Sequence, residues 1–257
     1  LAAGSGSNAK LTIDGSTITG LGDANNVLAN NRLLGINAAG TVTKGQLTIE
    51  GNSQISKLYS IGGAYTTSGS VSYSTVTIQA NNGVAPTVNL ANSMICAGYT
   101  NDTGDSTDNT VMISAGSVKD GAEDSYGIAA GCSGGNVSTN NVKITGGTID
   151  ISGANANIIG GWTTLGTATS KASQNGVSIN GDDATATVTA NTIIGGLSDT
   201  GTASGNSVAI SKGTGTGGAP TVTAASIIGG KSAGANDKNT VSISDGTVNV
   251  STSIIGG

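Results

Sequence analysis

The sequence has no histidine and no phenylalanine, one tryptophan, and only two cysteines and two prolines in 257 residues. Without histidine there is no side chain whose ordinary pKa suits proton transfer near neutral pH. With aromatics at 2%, a conventional globular core is excluded, because large rings and leucines supply most of its burial energy. Charge is sparse. Ten basic and fifteen acidic residues leave a net −5, and Arg32 is the sole arginine. Nucleic-acid binding needs clustered Lys and Arg to displace counterions, so no nucleic-acid partner is expected. No apolar run has the length of a membrane span or the layout of a secretory leader, so no direct membrane insertion is expected of this segment.

What the chain has is glycine, 43 residues of it, small polar residues, and short triplets of Val and Ile. Low charge with Gly, Ser, Thr and Asn would suit disorder, but the triplets recur at a period of about 33 residues, inside the solenoid range. The first motif is apolar-x-Ile: Leu11-Thr-Ile13, Leu47-Thr-Ile49, Val76-Thr-Ile78, Val111-Met-Ile113, Val142-Lys-Ile144, Val177-Ser-Ile179, Val208-Ala-Ile210 and Val241-Ser-Ile243. A second, Ile-Ile-Gly-Gly, is clean at 158–161, 193–196, 227–230 and 254–257. Ser60-Ile-Gly-Gly63 is close to it, Ile95-Cys-Ala-Gly98 and Ile128-Ala-Ala-Gly131 are looser, and Leu33-Leu-Gly35 is degenerate. Between the two lies a third alternating piece, as in Val88-Asn-Leu90, Ile149-Asp-Ile151 and Val248-Asn-Val250.

The alternation has period two, so Val and Ile of the first motif share a face and the mostly polar or small residue between them takes the other. β-Branched residues disfavour helix. These features predict an all-β fold, a right-handed parallel β-helix of about eight coils with three short strands per coil. It would form one continuous solenoid over 1–257, with 1–36 as a degenerate first coil. The repeat runs to both ends, which predicts a segment of a longer protein. Asn109, Asn140, Asn175, Asn206 and Asn239 all stand two residues before a first-motif valine. That offset predicts a structural ladder of stacked amides. The glycine pairs predict a corner, where φ > 0 or close approach of the next coil excludes a Cβ.

A Gly-Gly corner, a Ser/Gly/Ala/Thr loop, then Asn-x-Val-x-Ile and Gly resembles the passenger repeats of large bacterial autotransporter (type V secretion) adhesins. Asn206-Ser-Val-Ala-Ile-Ser-Lys-Gly213 with Ile227-Ile-Gly-Gly230, and Asn239-Thr-Val-Ser-Ile-Ser-Asp-Gly246 with Ile254-Ile-Gly-Gly257, carry the likeness. It covers roughly 40–257. The resemblance implies a non-enzymatic stalk or passenger segment at the bacterial cell surface, attached through an outer-membrane barrel and mediating cell adhesion. The expected partner is a host or bacterial surface receptor, protein or glycan. The alternative is a self-assembling extracellular filament or surface-layer subunit, in which neighbouring copies meet end to end. A polysaccharide-binding or polysaccharide-degrading β-helix is the third reading.

Candidate sites are few. Glycoside hydrolysis needs two carboxylates at a set separation. The adjacent Asp182 and Asp183 point in opposite directions in extended chain, and Arg32 lies many coils away, so no catalytic residue is expected. Asp102, Asp105 and Asp108, with Asp120, Glu123 and Asp124 following, make an oxygen-rich stretch. Their spacing matches neither Ca²⁺ loop pattern, so the stretch reads as solvated loop, with no metal and no cofactor expected. Cys96, in the slot of the second Ile, reads as inward, and Cys132 as one coil away at a distance of ~10 Å, beyond disulfide reach. The outward slot of the first motif changes from Thr to Met, Lys, Ser and Ala, which disfavours a flat ice-binding array. Of the aromatics, Tyr99 and Trp162 share the slot after the glycine pair, two coils apart, and are the candidate ligand contacts.

Overall fold

The computed structural model describes residues 1–4, 6–20, 31–90, 93–120, 126–164 and 169–257. Among them there is no helix, and every paired strand runs parallel to its neighbours. The first motif builds an eight-stranded ladder from Lys10–Asp14 to Thr240–Ile243, in strict register: Val142 pairs with Val177, and Ile144 with Ile179. The third piece builds a second ladder, from Thr17–Thr19 through Gln54–Ser56, Thr87–Leu90 and Ser117–Asp120 to Gly147–Ile151. The glycine-pair motif builds a third, through Arg32–Ala38, Ser60–Thr66, Met94–Thr100, Gly127–Ser133 and Asn157–Thr163. Beyond residue 185 the second and third pieces run on as single strands, Ala186–Ser198, Thr221–Ser232 and Thr247–Ile255.

The chain is thus a parallel β-solenoid with a repeat of about 33 residues. Two expectations need correction. A fourth strand, of two or three residues, closes each coil; Val42–Thr43, Val71–Ser72, Ser106–Thr107, Val137–Ser138, Lys171–Ser173, Thr202–Ser204 and Asn236–Asp237 form a seven-stranded ladder. These strands are too short to show alternation in sequence. And the rod holds about six full turns rather than eight equivalent coils, because the coils at the two ends are incomplete. In the last coil Ile243 and Ile254 are exposed, whereas their inner counterparts Ile179, in the first ladder, and Ile227, in the third, are fully buried.

The interior is narrow and apolar. Ile and Val of the first and second ladders and the first Ile of the third meet in one cluster, including Ile113, Val118, Ile128, Ile144, Ile149 and Ile158. Each touches its counterpart above and below, so one small side chain per slot fills the section. This explains how a chain without Phe builds a core.

The glycine pair bends the third strand from within. Neither Gly160 nor Gly161 has positive φ, so close approach is the reason for glycine. A Cβ on Gly160 would overlap the carbonyl of Gly195 in the next coil, and one on Gly161 would overlap the Asn175 side chain. A left-handed residue of each coil stands instead before the ladder position: Tyr73, Asp108, Thr139, Gln174 and Lys238 have φ of 54–56°, and Gly205 has 66°.

Candidate functional site: an aromatic groove on the outer face of the third ladder

The five asparagines lie inside the rod, all buried. Asn109 Nδ2 donates to Asn140 Oδ1 (2.9 Å), Asn140 to Asn175 (3.1 Å), Asn175 to Asn206 (3.0 Å) and Asn206 to Asn239 (2.9 Å). The same Oδ1 atoms accept the backbone N–H of the preceding asparagine. The second amide proton goes to a fourth-ladder carbonyl, as in Asn140 to Ser106 O (2.8 Å). Every polar atom of the column is therefore used within the scaffold.

The acidic stretch is also absorbed by loops. Asp105 accepts from the backbone and side-chain nitrogens of Asn136, and Asp108 accepts the Thr139 hydroxyl. Glu123 and Asp124 lie outside the described residues. Asp182 accepts the N–H groups of Thr214 and Gly215, and Asp183 accepts the Thr145 hydroxyl (2.5 Å). Among the described residues no three His, Cys, Asp or Glu side chains converge as metal ligands.

A different face collects the aromatics. Both residues of the glycine pair turn toward the interior, which shifts the in–out alternation by one. Positions 96 and 99 therefore share the outer face, where Cys96, Ala129, Cys132, Ile159 and Ile194 form a second apolar cluster under Met94, Tyr99 and Trp162. Cys96 is thus not an inward core residue; Ile95 is. The same shift brings the two thiols together. Cys96 and Cys132 are free and buried, and Cys132 lies 3.9 Å from the Met94 sulfur. The hydrogen bond with Cys96, then burial, then the neighbouring Cys96 and Asp199 hold the Cys132 thiol well above its ordinary pKa. It stays protonated and unreactive at neutral pH.

The ring column of this face is longer than sequence suggested. Pairing aligns Ile61 with Ile95 and with Leu33, so Gly62 stands opposite Cys96 and Tyr65 opposite Tyr99. The Ser60-Ile-Gly-Gly63 copy is one residue out of phase with Ile-Ile-Gly-Gly, and a one-residue slip changes the face of every side chain. Tyr65 and Tyr99 stack at 5.4 Å between centroids and 8° between planes. Arg32 covers the other side of Tyr65, with Cζ 3.9 Å from its centroid, and reaches 5.9 Å from Tyr59. Cys132 interrupts the column, and Trp162 resumes it one coil further, its Nε1 donating to Asp199 (3.0 Å). Burial first, then the nearby Cys132 and Cys96 thiols and Tyr65 and Tyr59, push the Tyr99 phenol above the usual tyrosine range.

Together these side chains bound a groove of about 250 Å³, with Arg32 at one end and Trp162 at the other, and Tyr59 and Tyr126 forming part of its lining. Tyr99 and Trp162 are both in it. Sequence reasoning missed Arg32, Tyr59, Tyr65, Tyr126 and Met94. The available signal was the departure of coils two to four from Ile-Ile-Gly-Gly. Where clean copies put the second Ile, these have Gly62, Cys96 and Ala129, and the space lost there is taken by large side chains from the adjoining slots.

Fold and groove define the class: a parallel β-solenoid that, among the described residues, gathers its aromatic side chains in a groove on one face. Compared with family models, with curated proteins and with solved structures, the chain matches none.

Proposed function

We propose that the chain is a scaffold segment of a non-enzymatic extracellular surface protein, of the bacterial adhesin type, and that the groove is where it makes contact. The observation that carries this reading is the concentration of aromatics. Five of the six aromatic side chains, Tyr59, Tyr65, Tyr99, Tyr126 and Trp162, line one groove. Rings of this kind, apolar at the face and polar at the rim, are enriched in recognition sites. The rest of the rod is built for stacking, with Asp105, Asp108, Asp182 and Asp183 tied into loops and the asparagine amides into a ladder. The autotransporter-like repeats support the cell-surface setting, and among the described residues the groove lining offers no pair of carboxylates for hydrolysis.

Beads coated with the 257-residue chain test this on immobilised mucin and on mammalian and bacterial cell layers. Attachment by the wild type that is lost in Tyr99→Ala and in Trp162→Ala, with melting retained, is the expected result. Attachment unchanged by both substitutions would place the contact elsewhere. No attachment of the wild type to any surface would reduce the segment to a spacer.

A further inference from the structure

We infer that the groove takes a glycan segment bearing one carboxylate, with the acid group at the Arg32 end and neutral rings running toward Trp162. This rests on the reading of the groove as the contact site and names its ligand.

Arg32 is the reason for the charge. It is the only arginine, it is half-buried, and no carboxylate lies within ion-pair distance of it among the described residues. Its Nε is buried with no hydrogen-bond acceptor. The rings of Tyr65 and Tyr59 attract the cation, but a π face does not satisfy five planar N–H donors. A buried donor without an acceptor is costly. A carboxylate in the groove would meet the guanidinium in the bidentate geometry for which arginine is suited. Among the described residues, no Asp or Glu lines the groove.

The same map limits the ligand to one acid group. Asp199 sits on Trp162 at the far end, and Asp102 lines the depression beside Tyr99 and Asn101. A second anionic group placed there would be repelled. A polyanion is thus disfavoured, in keeping with the net charge of −5.

The remaining lining favours sugar over peptide. Tyr99 and Trp162 offer flat faces, while Ser60, Asn101 and Thr164 offer hydroxyl and amide groups. A pyranose presents a C–H face and a rim of hydroxyls, and so uses both. A peptide would use either a free strand edge or aliphatic sockets. The groove overlies a ladder whose strands are already paired on both sides, and among the described lining residues Met94 is the only aliphatic side chain of any size. A volume of about 250 Å³ is below the ~300–1,000 Å³ of sites for drug-sized ligands. The groove is nonetheless long: four coil steps of ~4.8 Å separate the strand of Arg32 from that of Trp162, on the order of 20 Å. That shape suits a short chain of rings held shallowly.

The test uses Trp162, the single tryptophan, as reporter. 3′-Sialyllactose carries one terminal carboxylate on a neutral disaccharide; its methyl ester and lactose are the uncharged controls. We expect saturable change of Trp162 emission with the acid, at least about tenfold weaker binding of the ester and of lactose, and loss of that discrimination in Arg32→Gln. A melt of Arg32→Gln and its unliganded emission spectrum verify folding, and Arg32→Lys, which keeps charge without the fork, should retain only part of the preference. Equal binding of acid and ester, or a preference unchanged in Arg32→Gln, would overturn the acid assignment. No binding of any of the three sugars, with bead attachment still dependent on Tyr99 and Trp162, would overturn the glycan and leave the groove as contact site. Loss of both would remove the two readings together.

Discussion

At the scale of single residues, the rod is governed by a pairing within each coil. Wherever the second position of the glycine pair is Gly, at 98, 131, 161, 196 and 230, an added Cβ would overlap the asparagine of the same coil. Where the ladder stops, the pair changes on both sides. In the second coil Ala64 replaces the glycine and Ser74 the asparagine. In the first, Ile36 and Gly45 do, with Ile36 and Ala64 packed on Val42 and Val71. Ser74 ends the column by donating its backbone N–H to Asn109 Oδ1 (2.8 Å), and its own hydroxyl accepts from Gly45 (3.2 Å). The two columns are therefore exchangeable solutions to one space. Gly98→Ala alone should destabilise by about 1–3 kcal/mol through overpacking. Adding Asn109→Ser should recover part of the loss, because it copies the Ala64–Ser74 arrangement one coil further. A double-mutant cycle on urea midpoints should give a coupling of about 1 kcal/mol or more; additive effects would refute the exchange. The asparagine column was legible from its fixed offset before each valine. Its partner glycine was not, because sequence shows two adjacent glycines and cannot say that one faces the next coil and the other faces an amide.

At the scale of the strand, function and repeat are in tension. The clean Ile-Ile-Gly-Gly strands pack evenly, and the strands at 60–66, 94–100 and 127–133 break the pattern and make the groove. Places where a local rule fails are where sites are expected. The triplets and their period made the first ladder readable, residue for residue. The groove was half readable: Tyr99 and Trp162 fall in one slot by spacing alone, but Tyr65 joins them only once the register slip at Gly62 is known, and Arg32 only once it is seen to cross Tyr65. Restoring the repeat should undo the site. Ala129→Ile puts a large side chain under Met94 and Trp162, so it should shift Trp162 emission toward that of exposed indole and cost about 1–3 kcal/mol. Unchanged emission with unchanged stability would show that the small slot is not what seats these side chains.

The far end of the groove should also be pH-sensitive. Burial raises the Asp199 carboxyl above its ordinary value, against smaller lowering effects of the Trp162 indole N–H and of Lys231. The folded chain therefore holds this proton more readily than the unfolded chain. Its contribution to stability is most favourable below the unfolded pKa and declines as pH rises through the raised folded value. Asp199→Asn keeps an acceptor for the indole and removes the titration. Measured by urea midpoint from about pH 3 to 7, the variant should gain on the wild type as pH rises; a gap that stays constant or shrinks would contradict the assignment.

At the scale of the molecule, the eight-stranded first ladder spans on the order of 35 Å at ~4.8 Å per step. Contacts run almost wholly between adjacent coils, so stability approximates a sum of coil and interface terms. The groove lining draws on five coils. A defect placed outside it should then spread by neighbour contact alone. Ile179 is buried between Ile144 and Ile210 of the adjoining coils. Ile179→Asp buries a charge without a partner and should cost upwards of about 4 kcal/mol locally. Followed by amide hydrogen exchange, protection should fall most in strands Gly176–Ile179, Asn141–Ile144 and Ser207–Ile210 and recover with distance, leaving Gln46–Glu50 close to wild type. Loss that is uniform along the rod would mean that the solenoid unfolds as one unit, and that the groove coils share the fate of every other coil.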